Sequence, residues 1–569
     1  MSDFTQASFV GGMNLLSDDT RLQPNQYRAG FNLRNRYDIL DQIRTSVKDE
    51  AVSIVGLKQG LLTFGEYIIM FVAGNAYYRK YDSIAWTRIV QFHMSTTASR
   101  YWTVVVPLAI TNYGRLSATV SNNTLAGVNN VNSISAASQG NLPGLLVQDN
   151  TNQPQFIYID LYGNIECRTT QTYTQWEATY DVPNTPATLE IDKREYVPVG
   201  NAMAWTDGVL YITAQDGNQI YRSVSGRPLD FVINVDIVGQ AGGDASTTSY
   251  TVGTGEITTL KPMSDGSLFV GATAANFIVT KDRDGGANLF GEFALIRKFL
   301  FEATCLSDRA IIESLGDTRF IDLTGVRSFN AVQQLQFEGR NAPFTATVAS
   351  AFRGIIQDIA AAIAFDNYEL YAVQTVYGNV ILVFDTINNC WSSLDTTQTA
   401  GSKIKQFAKI ELGVLKLFAI TEDDQLYTLY DGDEFEIATL ITPSFTSKAP
   451  DNSRAEMKLG AFRCILTRIT EDTAITMMPV INNRVSAVQS ITDKTIKYQA
   501  PIVAYSGTIE LPDIDSMMAN VTISTPNCEQ GWKTSIIFTW NAGASLTQYT
   551  TTFTDTTHDV AIKAQQLVR

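Results

Sequence analysis

Histidine is nearly absent: the 569 residues include two, His93 and His558. So few, so far apart, leave no material for a histidine-based triad or for a zinc site with two histidine ligands. Neither Gly-x-Ser-x-Gly nor the phosphate-cradling Gly-x-x-x-x-Gly-Lys-Ser/Thr occurs, which removes the usual sequence marks of a hydrolase elbow and a P-loop. The five cysteines (Cys167, Cys305, Cys390, Cys464, Cys528) are scattered, odd in number and without a Cys-x-x-Cys pair, a pattern expected of free thiols in a reducing cytoplasm rather than a disulfide framework. Charged residues make up only 17%, below the usual quarter. The most apolar stretch, Tyr67 to Ala73, falls far short of the roughly 18 residues of a membrane span. With no basic n-region and apolar h-region at the start, the expectation is a soluble chain made in a cytoplasm, with no cofactor and no metal.

What fills the space is Gly, Ser, Thr and Asn between short apolar runs, the composition of strands joined by turns. The clearest feature is a degenerate repeat: an apolar run, a tight polar turn, a second run with an aromatic, then a more polar strand. Asp207-Gly208 leads into Val209-Leu-Tyr-Ile-Thr213, and Asp216-Gly217 into Ile220-Tyr-Arg-Ser223. Asp265-Gly266 leads into Leu268-Phe-Val-Gly-Ala272, followed by Phe277-Ile-Val-Thr280. Further units are Tyr67–Phe71 with Ala76–Arg79, Ala310–Ser314 with Arg319–Asp322, Glu369–Val373 with Val380–Phe384, and Leu415–Ile420 with Gln425–Leu429. The weakest is Leu145–Val147 with Gln155–Ile159. Asp-Gly between strands marks tight hairpins, because Gly accepts positive φ without steric cost. A spacing of roughly 35–45 residues with several strands per unit is the mark of propeller blades. The expectation is an all-β chain: a β-propeller of seven blades, six as fallback, over 51–440, with a pair of β-sandwiches as the alternative. A loop insertion around 93–141 contains the uncharged stretch Ser117 to Gly140. Asp181 to Glu195 reads as a linker, 441–569 as a β-rich, sandwich-like domain, and 1–50 as a non-propeller arm.

Formal net charge is −15, which argues against a protein that grips nucleic acid through clustered Lys and Arg. Acidic and basic residues balance after Asp451, so the surplus lies upstream. Within it, Arg21 to Lys48 carries six basic residues against Asp38 and Asp41, a local basic segment in an acidic chain. Arg21, Arg28, Arg34 and Arg36 are therefore candidate docking residues. The turns Asp282-Arg-Asp-Gly285 and Glu422-Asp-Asp424 lack the ligand spacing of a calcium loop and read as hairpin turns. Asp282, Asp284, Asp423 and Asp424 are candidate acidic residues facing a lumen.

Residues 11–36 (Gly-Gly-Met-Asn-Leu-Leu through Gly-Phe-Asn-Leu-Arg-Asn-Arg) resemble the opening of the tail nozzle proteins of short-tailed bacteriophages, also described as packaged-DNA stabilisation or tail accessory proteins. Ile220-Tyr-Arg-Ser-Val-Ser-Gly-Arg-Pro-Leu-Asp-Phe231 and Phe320-Ile-Asp-Leu-Thr-Gly-Val-Arg-Ser-Phe-Asn330 resemble the same family, and the likeness runs from about residue 9 to about 550. The resemblance implies a structural, non-enzymatic virion subunit, a homohexamer below portal and adaptor, touching tail fibre or needle proteins. It would extend the DNA conduit, hold packaged DNA and let it pass at ejection without binding it tightly. The alternative is a propeller-type tail enzyme or sugar-binding protein acting on host polysaccharide, since a carboxylate pair is not excluded by sequence. On the nozzle reading, removal of residues 1–36 should leave a soluble propeller that fails to join tails.

Overall fold

In the computed structural model the described residues lie between 2 and 555, with the longer gaps in the description at 110–140, 232–249, 282–294, 332–343, 497–508 and 511–532. Seven small antiparallel sheets follow one another along the chain. The first spans Lys58–Phe64 to Thr87–Ile89 and the second Trp102–Ala109 to Ile165–Thr169; the third runs from Gly200–Thr206 to Tyr250–Thr251 and the fourth from Ile257–Pro262 to Leu295–Phe301. The fifth has three strands, Ile311–Ser314, Asp317–Asp322 and Gly325–Ser328. The sixth is Ala361–Phe365 to Cys390–Asp395, and the seventh opens with Ile404–Glu411, Leu415–Thr421 and Leu426–Leu429. Each expected unit coincides with one of these sheets, including the weak one at Leu145.

Alternation of side chains across each pleat makes the ring. In the second strand of the first sheet, Ile69 and Phe71 pack with Leu145, Val147 and Ile157 of the second, while Ile68 and Met70 pack with Phe418 and Ile420 of the seventh. The pattern repeats through Leu146 with Leu210 and Ile212, Tyr211 with Val270, and Phe269 with Ile311 and Phe320. It continues with Ile321 against Tyr371 and Leu370 against Leu417. Seven apolar interfaces join seven sheets into a closed β-propeller. A central strand buried on both faces reads as a continuous apolar run rather than an alternating one, which is why Tyr67–Val72 is buried at every position. The hairpins Ala73-Gly74, Asp207-Gly208 and Leu315-Gly316 place both turn residues at positive φ, the geometry whose twist matches flanking strands.

The chain's beginning is built into this architecture, contrary to the reading of 1–50 as an arm. Val47–Lys48 pairs with Leu426–Leu429 and supplies the fourth strand of the seventh blade. Ala29–Phe31 inserts between Cys390–Asp395 of the sixth blade and Ala438–Ile441, continuing that blade into the C-terminal strands Lys533–Trp540 and Thr473–Ile481. Leu33–Arg36 and Ile39–Gln42 join a second sheet with Ser545–Asp555 and Met457–Thr467, and Ser2–Gln6 pairs with Ser545–Asp555. Leu33, Leu40 and Leu546 of one sheet share a core with Ala29, Ala438 and Leu440 of the other, so the C-terminal region is a sandwich that borrows N-terminal strands. The expected soluble propeller lacking residues 1–36 does not fit: Phe9, Met13, Leu15, Tyr27 and Leu33 are 0–2% exposed within this core.

Two other expectations change. The supposed linker at Asp181 to Glu195 contains half of a hairpin, Trp176–Val182 paired with Thr185–Ile191. The insertion around 93–141 includes a blade strand, Trp102–Ala109, whose end Ala109 pairs with Asn141; Ser117 to Gly140 lies outside the described residues.

Candidate functional sites

Two polar constellations stand out against the apolar interfaces. The first joins the N-terminal strands to the sixth and seventh blades. Arg34 forms a two-pronged ion pair with Asp395, Nη1 to Oδ1 at 3.0 Å and Nη2 to Oδ2 at 2.7 Å. The Tyr430 hydroxyl donates to Asp395 Oδ2 at 2.7 Å, and the guanidinium lies over the Tyr430 and Tyr368 rings at 4.8 and 5.4 Å. Burial alone would lower the Arg34 guanidinium, but Asp395, then Tyr430, outweigh it and the net shift is upward. Arg34 is locked as a cation. Asn32, at φ 54°, donates to the Ile437 carbonyl at 3.2 Å and accepts from the Thr396 amide at 3.0 Å. The Asn35 side chain donates to the Phe9 carbonyl at 2.5 Å. Gly12, at φ +66°, leaves space that a Cβ would fill 2.5 Å from Cys390 Sγ and from the Trp391 carbonyl.

Arg36 is half exposed and pairs with Asp366 at 2.6 Å. Arg28 donates its backbone amide to Ile441 at 2.8 Å, and burial lowers its guanidinium against the pull of Tyr377. Arg21 lies outside the described residues. A cavity of about 330 Å³ opens beside this cluster, lined by Arg34, Arg36, Arg44, Asp41, Tyr368 and Tyr430. Its arginines already face partners: Asp395, Asp366 and, for Arg44, the Gly432 carbonyl at 3.2 Å. Of the four candidate docking arginines, Arg34 thus serves an internal joint, Arg28 is partly drawn into it, and Arg36 reaches its surface.

The second constellation sits where the inner strands begin, at one mouth of the propeller's channel. Arg309 precedes the fifth blade, yet its Nη2 donates to the Gln59 carbonyl of the first blade at 2.8 Å and to the Tyr101 carbonyl before the second at 3.3 Å. Blades five and one or two lie on opposite sides of a ring of seven, so this side chain crosses the axis. Burial pushes the Arg309 guanidinium down to about 10. Arg100 forms an ion pair with Asp308 and lies over the Trp102 ring at 4.7 Å. Burial, then the like charge of Arg309, holds Arg100 well below its ordinary value.

The acidic lumen candidates divide. Asp282 and Asp284 lie outside the described residues. Asp423 is exposed on the turn after Leu415–Thr421. Asp424 is neutralised: its carboxylate accepts from Lys405 Nζ at 2.7 Å and from the Lys58 amide at 2.9 Å. No group of three or more His, Cys, Asp or Glu suited to a metal ion occurs among the described residues, and no described helix is long and apolar enough to cross a membrane. Sequence reasoning missed Asp395, Tyr430, Asp308 and Arg309. Asp395 lies 361 positions from Arg34, and no local pattern pairs residues so far apart.

No family model and no curated protein matches the chain. Among solved structures it is similar to virginiamycin B lyase from Staphylococcus aureus, at 12% identity over 69% of this chain and 98% of that one, TM-score 0.34. It is also similar to YCF48 from Cyanidioschyzon merolae (8%, 68% and 99%, TM-score 0.33) and to the Dos1 propeller (10%, 70% and 97%, TM-score 0.34). These likenesses concern the fold, which the strand pairing establishes independently, and nothing about activity follows from them.

Proposed function

We propose that this chain is a structural subunit of the tail nozzle of a short-tailed phage, extending the DNA conduit and helping to retain the packaged genome. The observation that carries the reading is the likeness of residues 11–36, 220–231 and 320–330 to that family. Distinctive residues of the first stretch hold a joint of the fold, and one of the third holds a turn. Gly12, Asn32 and Arg34 fasten the N-terminal strands to the sixth blade. Asp322 caps its own turn, accepting from the Thr324 amide at 2.7 Å and from Arg327 Nε at 2.6 Å. A conduit wall under internal pressure has to hold its propeller at a fixed angle to the rest of the subunit, and a joint of a buried ion pair and shared sheets does that.

The conduit would be the hole in a ring of subunits, a hexamer on this reading, because Arg309 crosses the propeller's own axis. A net charge of −15 gives the wall little hold on phosphates, with each repulsion screened beyond about 8 Å at physiological salt. The test is negative-stain microscopy of particles labelled with an antibody to this chain. Label at the tail below the portal is expected. Label elsewhere on the particle, or a chain missing from purified virions, would overturn the reading.

A further inference from the structure

Among the described residues, the guanidiniums of Arg100 and Arg309 lie near one another at the channel mouth, with the Asp308 carboxylate beside them. Asp308 is engaged by Arg100. Arg309 has no carboxylate partner among the described residues, and two carbonyls take the hydrogens of its Nη2, which leaves Nη1 and Nε without an acceptor there. The Arg100 Nε is likewise buried without a hydrogen-bond partner. Both residues keep a partial exposure. An uncompensated guanidinium in a confined site is costly, and a fork of free N–H donors matches the two oxygens of a carboxylate or phosphate.

We propose that this mouth is an oxyanion-binding site, in which Arg309 and Arg100 together hold one carboxylate or phosphate group on the propeller axis. The ligand completes the neutralisation that Asp308 begins and fastens the fifth blade to the first and second through a shared ion. Its oxygens come either from a free anion or from an acidic side chain of a partner inserted along the axis.

The experiment measures thermal unfolding of the full chain in chloride and in inorganic phosphate at matched ionic strength, for wild type, Arg309→Met and Arg309→Lys. Phosphate stabilises most proteins by exclusion from their surface, so the decisive quantity is the difference between wild type and variant. At ten times the dissociation constant the wild type should gain roughly 1 °C more than Arg309→Met, with Arg309→Lys between them. Equal gains in all three overturn the proposal. If the variants do not fold, phosphorus NMR of phosphate titrated with wild type decides: line broadening reversed by excess sulfate supports the site, and unbroadened lines overturn it. A short polyglutamate peptide in place of phosphate separates the sources. Greater stabilisation by the peptide points to a partner's carboxylate, and stabilisation by phosphate alone to a free anion.

Discussion

The seven blade interfaces and the N-terminal joint solve the same problem, attaching one sheet to another, by opposite means. Blades meet through interdigitated aliphatic and aromatic side chains, as where Ile68 and Met70 meet Phe418 and Ile420. Such contacts are non-directional and tolerate small adjustments of angle. The joint combines an apolar core with a buried ion pair, Arg34 with Asp395, and directional hydrogen bonds made by the side chains of Asn32 and Asn35. Apolar burial supplies most of the stabilisation, while a buried pair adds little net stability yet makes misalignment expensive. The propeller is thus built to close, and the joint is built to hold one orientation.

The largest effect should come from breaking the joint on one side. Arg34→Met leaves the Asp395 carboxylate buried and unpaired, at a cost of about 3–5 kcal/mol in denaturant unfolding. The double variant Arg34→Met with Asp395→Leu should recover much of the loss, whereas a double variant as unstable as Arg34→Met would mean that the pair itself is stabilising. Next comes a glycine comparison. Gly12→Ala places a methyl against Cys390 and Trp391 at positive φ and should cost about 1–3 kcal/mol. Gly266→Ala, at φ +80° with nothing within 4 Å, should cost only the backbone strain, about 1 kcal/mol. Equal losses would show that the close approach at Gly12 does not matter.

Surface ion pairs should matter least. Lys409→Ala, which breaks the exposed pair with Glu411, should change stability by less than about 0.5 kcal/mol. The pair of Lys403 with Asp358 can be probed by pH. The Lys403 hydrogen bond lowers the Asp358 carboxyl below its ordinary value, so its contribution is present above the usual carboxylate range and is lost as pH falls through the lowered value. Unfolding of wild type and Asp358→Asn should therefore differ slightly at neutral pH and converge as pH falls below the usual carboxylate range. A gap that widens in acid would reverse the assigned sign.

Much of the propeller was legible in advance because its determinants are local. Asp207-Gly208 and Leu268–Ala272 announce a turn and a strand within ten residues, and a doubly buried strand leaves an apolar run such as Tyr67–Val72 wherever it pairs. The candidate sites were less legible. The basic segment from Arg21 to Lys48 looked like a free arm because like charges in sequence show no partner, and Asp424 looked like free acid for the same reason. Ring closure by Val47–Lys48 left no mark at all: two exposed residues take part through their backbone, and backbone hydrogen bonding carries no side-chain signature.

The sequence by itself determined the all-β class, the repeat and the positions of all seven blades, since turn chemistry and pleat periodicity act over a few residues. Only the tertiary structure decided that the first 50 residues complete the seventh blade and splice the sixth into the C-terminal sandwich, and that Arg309 crosses the propeller axis. Those pairings depend on where the closed ring brings distant segments together, and proximity across hundreds of residues is set by the packing of the whole rather than by any stretch of it.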